Sequence, residues 1–475
     1  MNWPARIPRT FFEAQASATR PTTLKGGEMT MMMHGKQSRV GVKSAGAISA
    51  ALCLLTMAGC AGMQTTMPTA PVTAKLTLSG SVYGGQQPIK QALLAVYAAS
   101  TTGYNTANTN LLTSAVTTDS NGGFSVSDDY TCTAGQQIYI VATGGNPGAG
   151  TNANIALMAA LGDCSTVASQ RVTINEVSTV ASVYALAPFM SSATTVSTSP
   201  TNTSGLAHAF ASVRKLANLS TGASSGTTLP AGATAPSATV NTLANVAAAC
   251  VNSTGVSGDG NGTCAQLFSL TTPVGGSAPT DTLQALLNIA HHPTLNVPQL
   301  YDIVPANGPF QPVVSPTNVP NDWTLAVTYS GGALNTPQST TVDASGNIWI
   351  TNAGNNTVTV LAQNGTPAPG SPFSGNGLAR PTAIAIDANG NGWIANTGAA
   401  SVSAFTLGGS PITGSPFNGG GNISAPNGVA IDAPGNVWVT NSATGSVTKL
   451  SSSGAYLQQV SSGISAPAAL VINPN

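Results

Sequence analysis

Apolar and polar residues alternate in three similar segments near the C-terminus of the chain. The segments are PQSTTVDASGNIWITN, PTAIAIDANGNGWIAN and PNGVAIDAPGNVWVTN, which begin at Pro337, Pro381 and Pro426. In each, an alternating run, an aspartate-containing turn and a second apolar run follow one another, as in a β-hairpin. A further short run follows, such as SVSAF at Ser401. Each segment therefore predicts a small antiparallel sheet.

The spacing of these segments predicts a repeat architecture. The aspartates Asp343, Asp387 and Asp432 are 44 and 45 residues apart. A period of about 40 to 50 residues with several short strands per repeat is typical of β-propeller blades. We therefore expect propeller blades over residues 321–475.

The turn in each repeat explains its composition. The aspartate can accept hydrogen bonds from backbone amides two residues on, and the glycine and asparagine tolerate the positive φ of a tight turn. A tryptophan occupies the same mid-strand point in every repeat, so we interpret it as a blade-packing residue rather than a ligand platform. The predicted turn residues are Asp343, Gly346, Asn347, Asp387, Gly390, Asn391, Asp432, Gly435 and Asn436, and the predicted packing residues are Trp349, Trp393 and Trp438.

The spacings and residues of these segments resemble the NHL-repeat proteins and the related virginiamycin B lyase and gluconolactonase propellers. The resemblance covers about the last third of the chain. It implies an NHL-type propeller fold, but the catalytic groups of the enzymes do not transfer. The lactonase metal site uses a glutamate with Asn and Asp, and the lyase uses histidine and glutamate, whereas residues 321–475 contain no His, Glu or Cys. We assign no catalytic, cofactor-binding or metal-binding residue.

The number of repeats predicts an incomplete propeller. Residues 321–475 are 155 residues, or about three and a half blades, whereas propellers close with about four to eight. We expect either a gene fragment or a propeller closed between two chains. An open arc would expose strand edges, so self-association through them is also expected.

Two different patterns precede the repeats. Residues 74–146 contain short apolar runs between Gly-rich turns, which predict a small β-sandwich. The segment TTDSNGGF at Thr117 resembles the carboxypeptidase regulatory-like and transthyretin-like domains, which implies a structural or adhesive module. Residues 147–312, beginning with ANIALMAALG at Ala153, repeat apolar residues at three and four and predict a helical domain. Within it, we interpret Glu176 as a first-turn residue favoured by the helix macrodipole rather than a catalytic acid.

The N-terminus predicts export. Residues 1–59 form a leader and signal peptide, in which basic residues precede an apolar run that is too short to span a membrane. The run ends in Met57-Ala58-Gly59-Cys60, which resembles a bacterial lipobox and implies lipidation of Cys60. An ordinary signal peptide with a chance cysteine is the alternative. Residues 60–73 lack periodicity and read as a tether, so we expect a lipid-anchored envelope protein, located by resemblance in the outer membrane.

The cysteines indicate the disulfide pairing, and the net charge indicates which partners the protein can attract. Four cysteines follow the anchor, and nearest-neighbour disulfides, Cys132–Cys164 and Cys250–Cys264, are favoured among three pairings. A metal site is disfavoured because the cysteines lack CxxC spacing. Beyond the leader, seven basic and twelve acidic residues give 7 − 12 = −5. This excludes a basic surface for nucleic acid, and it leaves the lipid anchor as the attachment to the membrane.

Together these patterns predict a multidomain, mainly β protein: a small β-sandwich, a helical middle domain and an incomplete NHL-type propeller. We expect a cell-envelope lipoprotein that acts as a non-enzymatic binding or scaffold protein without a cofactor, with a protein or glycan ligand. The alternative is a propeller hydrolase or lyase with its site outside the visible repeats.

Overall fold

A computed structural model describes residues 73–167, 170–259 and 262–472. In this part of the chain the protein is multidomain and mainly β, with several small sheets, none of which closes on itself. The predicted signal peptide, Cys60 and the tether up to residue 72 lie outside the described residues.

Two sheets form the first part of the structure. One has the order β2-β1-β5, with β8 parallel to β1, and the other has the order β4-β3-β6-β7. Side chains from both sheets, such as Leu78 and Ile140, are fully buried in one hydrophobic cluster. The strands are β1 (Thr73–Gly84), β2 (Gln87–Pro88), β3 (Leu93–Ala98), β4 (Val116–Thr117), β5 (Gly123–Thr133), β6 (Gln137–Thr143), β7 (Ala156–Asp163) and β8 (Arg171–Ile174).

The predicted boundary between sandwich and helical domain is wrong. The segment ANIALMAALG, predicted as a helix, forms strand β7, which pairs with β6. Strand β8 also lies beyond residue 147 and pairs with β1. The physical reason is that β7 is buried along almost its whole length, and a continuous apolar run does not distinguish a buried strand from a buried helix. The sheets therefore extend to Ile174.

Helices follow these sheets. The central one, α2, packs against α3, α4, α7 and β7, and this explains why nearly all of its residues are buried. It begins at a capping box formed by Asn175 and Ser178. Pro188, which lacks the N–H that an α-helix needs, lies in the 3₁₀ turn that follows it. The helices are α1 (Cys164–Val167), α2 (Glu176–Leu186), α3 (Thr203–Leu216), α4 (Ser237–Val251), α5 (Val256–Asp259), α6 (Thr263–Leu270), α7 (Thr282–His291) and α8 (Val297–Asp302).

Short strands lie among and after the helices. They form three two-stranded sheets, β9 with β10, β11 with β12 and β13 with β14. Strand β14 belongs to the segment that leads into the repeats, and it pairs with the middle of the chain. The bounds are β9 (Met190–Ser192), β10 (Thr195–Val196), β11 (Ala217–Asn218), β12 (Ala223–Ser224), β13 (Ala233–Thr234) and β14 (Thr328–Tyr329).

The three repeats form three successive antiparallel sheets, each ordered as in the chain. Adjacent sheets contact each other through their first strands and bury two apolar clusters. In the first sheet Thr341 lies opposite Trp349, and in the second Ala385 lies opposite Trp393. The strands are β15 (Pro337–Val342), β16 (Ile348–Asn352), β17 (Thr357–Leu361), β18 (Pro381–Ile386), β19 (Gly392–Asn396), β20 (Ser401–Phe405), β21 (Pro426–Ile431), β22 (Val437–Asn441), β23 (Ser446–Leu450) and β24 (Tyr456–Val460).

Two disulfides connect elements that precede the repeats. Cys132 on β5 bonds to Cys164 at the start of α1, with an S–S distance of 2.01 Å. Cys250 on α4 bonds to Cys264 on α6, with an S–S distance of 1.94 Å. The first disulfide joins residues on either side of the predicted domain boundary at residue 147, in agreement with the sheets extending past that boundary.

Candidate binding surface

In all three repeats the turn aspartate accepts hydrogen bonds from the turn asparagine and from the tryptophan. In the second repeat, Oδ1 of Asp387 accepts from the backbone N–H of Asn389 and of Asn391, both at 2.9 Å. Its Oδ2 accepts from Nδ2 of Asn391 at 2.9 Å and from Nε1 of Trp393 at 3.0 Å. Gly390 has a φ of 80°, which glycine adopts without strain. One carboxylate thus holds the turn and the tryptophan together.

The first turn repeats this network, whereas in the third turn Pro434 occupies the position of Asn389 and has no N–H to donate. Asp343 accepts from Asn347 and from Nε1 of Trp349 at 3.1 Å, and Asp432 accepts from Asn436 and from Nε1 of Trp438 at 3.0 Å. Burial by itself would raise the pKa of each aspartate, but the hydrogen bonds from the asparagine and the tryptophan outweigh it and lower the pKa. These carboxylates are ionised and hydrogen-bonded inside their own turns, and Asp432 also forms an ion pair with Lys449. Gly346 and Gly435 have φ values of 78° and 87°.

The tryptophans lie between successive sheets. Trp349 is 0% exposed and Trp393 is 1% exposed. A Cβ placed on Gly392, in the next repeat, would lie 2.8 Å from Cζ3 of Trp349, so the indole rests directly on that glycine. Trp438 is partly exposed, and Nζ of Lys449 lies 4.6 Å from the centroid of its ring. The first two indoles therefore act in packing.

The sequence interpretation missed a row of buried asparagines. Asn396 is 0% exposed, and its Nδ2 donates to the hydroxyls of Ser401 and Ser403 on the third strand. Asn352 and Asn441 make the equivalent bonds. Each asparagine ends the second strand, three residues after the tryptophan, so the shared motif WITN, WIAN and WVTN carried the signal. Satisfied buried amides of this kind fix the register of the second and third strands.

A second missed feature is the residue before each repeat's first proline. Thr336, Arg380 and Ala425 have φ values of 47°, 46° and 45°. Left-handed backbone is uncommon outside glycine, and a residue before proline ordinarily adopts an extended conformation. Such conformations persist where the surrounding structure enforces them, and they cluster at ligand sites. Here they turn the chain at one end of the repeat sheets.

A pocket opens at that end of the sheets, and we call it the rim pocket. Its volume is about 390 Å³. Hydroxyls, amides and one guanidinium group line it, together with small residues, and no carboxylate is among the lining side chains. The lining residues are Thr336, Gln338, Ala353, Gly354, Arg380, Thr382, Thr397 and Asn427.

Hydrogen bonds preorganise the rim pocket. Oγ1 of Thr397 donates to the carbonyl of Pro426 at 2.7 Å and lies 2.8 Å from Oγ1 of Thr382. Oγ1 of Thr397 also lies 3.1 Å from Oδ1 of Asn427. Arg380 is exposed, and its backbone N–H donates to Oδ1 of Asn356, which fixes the start of the strand.

Glu176 lies in the first turn of α2, as expected, and it also makes a long-range contact that the sequence did not indicate. The N-cap of α2 is Asn175, while Glu176 is 0% exposed and accepts from the backbone N–H of Gly85 through both oxygens, at 3.0 and 2.9 Å. Burial raises its pKa to about 8, against the lowering effect of those bonds. The glutamate therefore anchors the turn between β1 and β2 to the start of α2.

Within residues 73–167, 170–259 and 262–472, no cluster of three or more His, Cys, Asp or Glu side chains has a geometry that could hold a metal ion. None of the helices in that part of the chain has the length and apolar character needed to cross a membrane.

Comparisons with known proteins give partial similarities. No protein-family model and no curated protein matches the chain. Among solved structures it is similar to a streptogramin B lyase, with 20% identity, 28% of this chain and 44% of that chain covered, and a TM-score of 0.26. It is also similar to virginiamycin B lyase from Staphylococcus aureus, with 17% identity, coverages of 29% and 45%, and a TM-score of 0.25. A third is Kuenenia stuttgartiensis hydrazine synthase, with 17% identity, coverages of 29% and 39%, and a TM-score of 0.26.

The matched region spans less than half the length of each of these three solved chains. Similarity of this extent transfers neither a substrate nor an activity to this chain.

Proposed function

We propose that the protein is an exported, lipid-anchored binding protein whose repeat sheets are NHL-type propeller blades that present a glycan-binding rim. The observation that carries this proposal is the rim pocket, where three repeats bring hydroxyl, amide and guanidinium groups to one end of the sheets. The hydroxyls of Thr382 and Thr397 are held in place by hydrogen bonds to the backbone carbonyl of Pro426, as a preorganised site requires.

The chemistry of the rim pocket favours an acidic sugar over an apolar ligand. Side-chain amides such as Gln338 and Asn427 suit sugar hydroxyls, because each group both donates and accepts. Arg380 suits a carboxylate, since the guanidinium donates two parallel hydrogen bonds to it. A glycan that contains uronic acid offers both kinds of partner. A protein ligand is the other class expected from the sequence, and the binding experiment separates the two.

Export and anchoring complete the proposal. Disulfides such as Cys132–Cys164 are typical of proteins from oxidising compartments outside the cytosol. The lipobox that ends at Cys60 supports a lipid anchor in the outer membrane as the means of attachment. Strand β24 has five exposed residues and lies at the edge of its sheet, which supports self-association through that edge.

The binding proposal is tested by calorimetry with an oligogalacturonide and a neutral cello-oligosaccharide of equal length. We expect saturable binding of the acidic sugar, weakened about tenfold or more by Arg380→Ala, the loss of one charged hydrogen-bonding group. Arg171→Ala, at an exposed arginine on β8, is the matched control and should leave binding unchanged. Equal affinity of Arg380→Ala and Arg171→Ala for the acidic sugar would contradict binding at the rim pocket. Cleavage of the sugar would favour the hydrolase or lyase alternative.

The anchoring proposal is tested by metabolic labelling with a fatty acid. Wild-type protein should be labelled and recovered with the membrane fraction, whereas Cys60→Ser should be unlabelled and released. Labelling that survives the substitution would contradict lipidation at Cys60, without bearing on the rim pocket.

A further inference from the structure

The indole of one repeat rests on a fixed position of the next repeat. Trp349 lies against Gly392, and Trp393 shares a buried cluster with Val437. Gly392 and Val437 are both the fifth residue after their repeat's turn aspartate. We call this position and its surroundings the aromatic seat of a repeat.

The aromatic seat of the first repeat opens into a cavity. Its fifth residue after Asp343 is Ile348, which lines a cavity of about 470 Å³ together with Val342 and Gly346. Val342 is 61% exposed, whereas its counterparts in the next two repeats are partly buried. The opposite wall consists of helix α3, which contributes Ala211, and of the segment after it, which contributes Thr228. The cavity therefore occupies the place where an indole packs in the next repeat.

Basic side chains surround this cavity, which we call the basic cleft. His208, Arg214 and Lys215 line it, and no aspartate or glutamate is among its lining residues. The C-terminal end of α3 favours such cations through the helix dipole, but a dipole does not neutralise them.

The described partners of these cations are neutral. Nζ of Lys215 donates to the carbonyl of Gln363 at 3.1 Å and to the hydroxyl of Tyr329 at 3.4 Å. Arg214 donates through Nη2 to the carbonyl of Leu161 at 3.1 Å and to the side chain of Gln170 at 2.8 Å. The only ion pair among the described residues joins Lys449 to Asp432, which lie more than 200 residues after Lys215 in the sequence. The cleft thus combines an apolar seat with uncompensated positive charge.

We propose that the basic cleft binds a small planar aromatic molecule that carries a carboxylate. The ring occupies the aromatic seat against Val342 and Ile348, as Trp393 packs in the buried cluster that contains Val437. The carboxylate faces Lys215, with Arg214 adding to the positive potential. A cavity of this size is in the range of small-molecule sites, which are mostly apolar with a few placed polar groups.

A tryptophan from a second copy of the chain is the competing occupant. Trp438 is the partly exposed member of the series, but Lys449 lies over its ring at 4.6 Å. Docking that indole would bring the ammonium of Lys449 against two further cations, Arg214 and Lys215, and like charges in a partly desolvated site repel. Charge complementarity therefore favours the small acid.

The test is calorimetric titration of the full chain with indole-3-acetate and with its neutral analogue indole-3-acetamide. We expect one saturable site for the acid and at least about tenfold weaker binding of the amide, as the loss of one charged interaction implies. Lys215→Met should weaken indole-3-acetate about tenfold and leave the amide unchanged. Lys449→Met is the matched control, because it removes a cation outside the cleft, and it should bind as wild type.

A second variant keeps the test independent of Lys215, whose contacts also join α3 to the first repeat. Ala211 is exposed on α3, so Ala211→Trp should fold and fill the cleft, which abolishes binding of both ligands. Absence of saturable binding to wild type, or equal affinity in wild type and Ala211→Trp, would overturn the proposal. A dimer in light scattering that is lost in both Ala211→Trp and Trp438→Ala would overturn it in favour of a second copy.

Discussion

Replacement of Asp387 by asparagine tests whether the turn carboxylate holds the repeat together. Oδ2 of Asp387 accepts from Nδ2 of Asn391 at 2.9 Å and from Nε1 of Trp393 at 3.0 Å. In Asp387→Asn, Oδ1 can keep its two backbone donors, but an NH₂ group then faces two other donors. Trp393 is 1% exposed, so its N–H cannot bond to water instead.

The expected cost follows from these contacts. Two hydrogen bonds to a charged acceptor are lost, each worth about 1.5 to 3 kcal/mol, and a buried N–H is left unsatisfied. Asp387 itself is partly exposed, and solvent screening reduces the electrostatic share. We therefore expect the free energy of unfolding of the repeats to fall by about 2 to 4 kcal/mol.

Urea unfolding followed by near-ultraviolet circular dichroism measures this change, because the signal reports the packed tryptophans. Asp119→Asn is the matched control. Oδ1 of Asp119 accepts from the backbone N–H of Asn121 and Gly123, both at 2.8 Å, in an exposed turn, and asparagine can keep both bonds. Its cost should stay within about 0.5 kcal/mol. Equal unfolding midpoints for the two variants would refute the reasoning.

Four further outcomes are expected. Because the folded pKa of each turn aspartate is lowered, its contribution is complete above the unfolded value of about 3.9 and is lost as pH falls through the folded pKa, so urea midpoints should drop below about pH 4. The pKa of Glu176 is raised to about 8, so its protonated form favours folding, and stability should fall as pH rises from about 4.3 towards 8. Urea midpoints measured over this pH range should show that fall in wild type and lose it in Glu176→Gln. Double replacement of Cys250 and Cys264 by serine should lower stability by about 3 kcal/mol relative to oxidised wild type, measured by thermal unfolding. Trp438→Phe should abolish most quenching of tryptophan fluorescence by acrylamide, since the other repeat indoles are buried, and unchanged quenching would contradict that assignment.

The repeats could be predicted from the sequence because their information is local. The alternation of residues such as Ala383 to Ile386, the aspartate turn and the fixed place of Trp393 recur every 44 or 45 residues. Short-range hydrogen bonds within the turn then produce the same hairpin each time, as the bonds of Asp387 illustrate. The pattern also predicted third strands, and β20 and β23 lie there.

Tertiary structure decided what depends on contacts between distant segments. An apolar run such as ANIALMAALG can satisfy its backbone hydrogen bonds in a sheet as well as in a helix. It forms strand β7 because it pairs with β6, a contact that the local sequence does not encode. The left-handed turn at Arg380 arises from packing that overrides the extended preference before proline. The rim pocket and the basic cleft join residues 89 or more positions apart in the chain, such as Gln338 with Asn427 and Lys215 with Ile348. No local pattern encodes such neighbours, since their proximity exists only after the sheets and helices have packed.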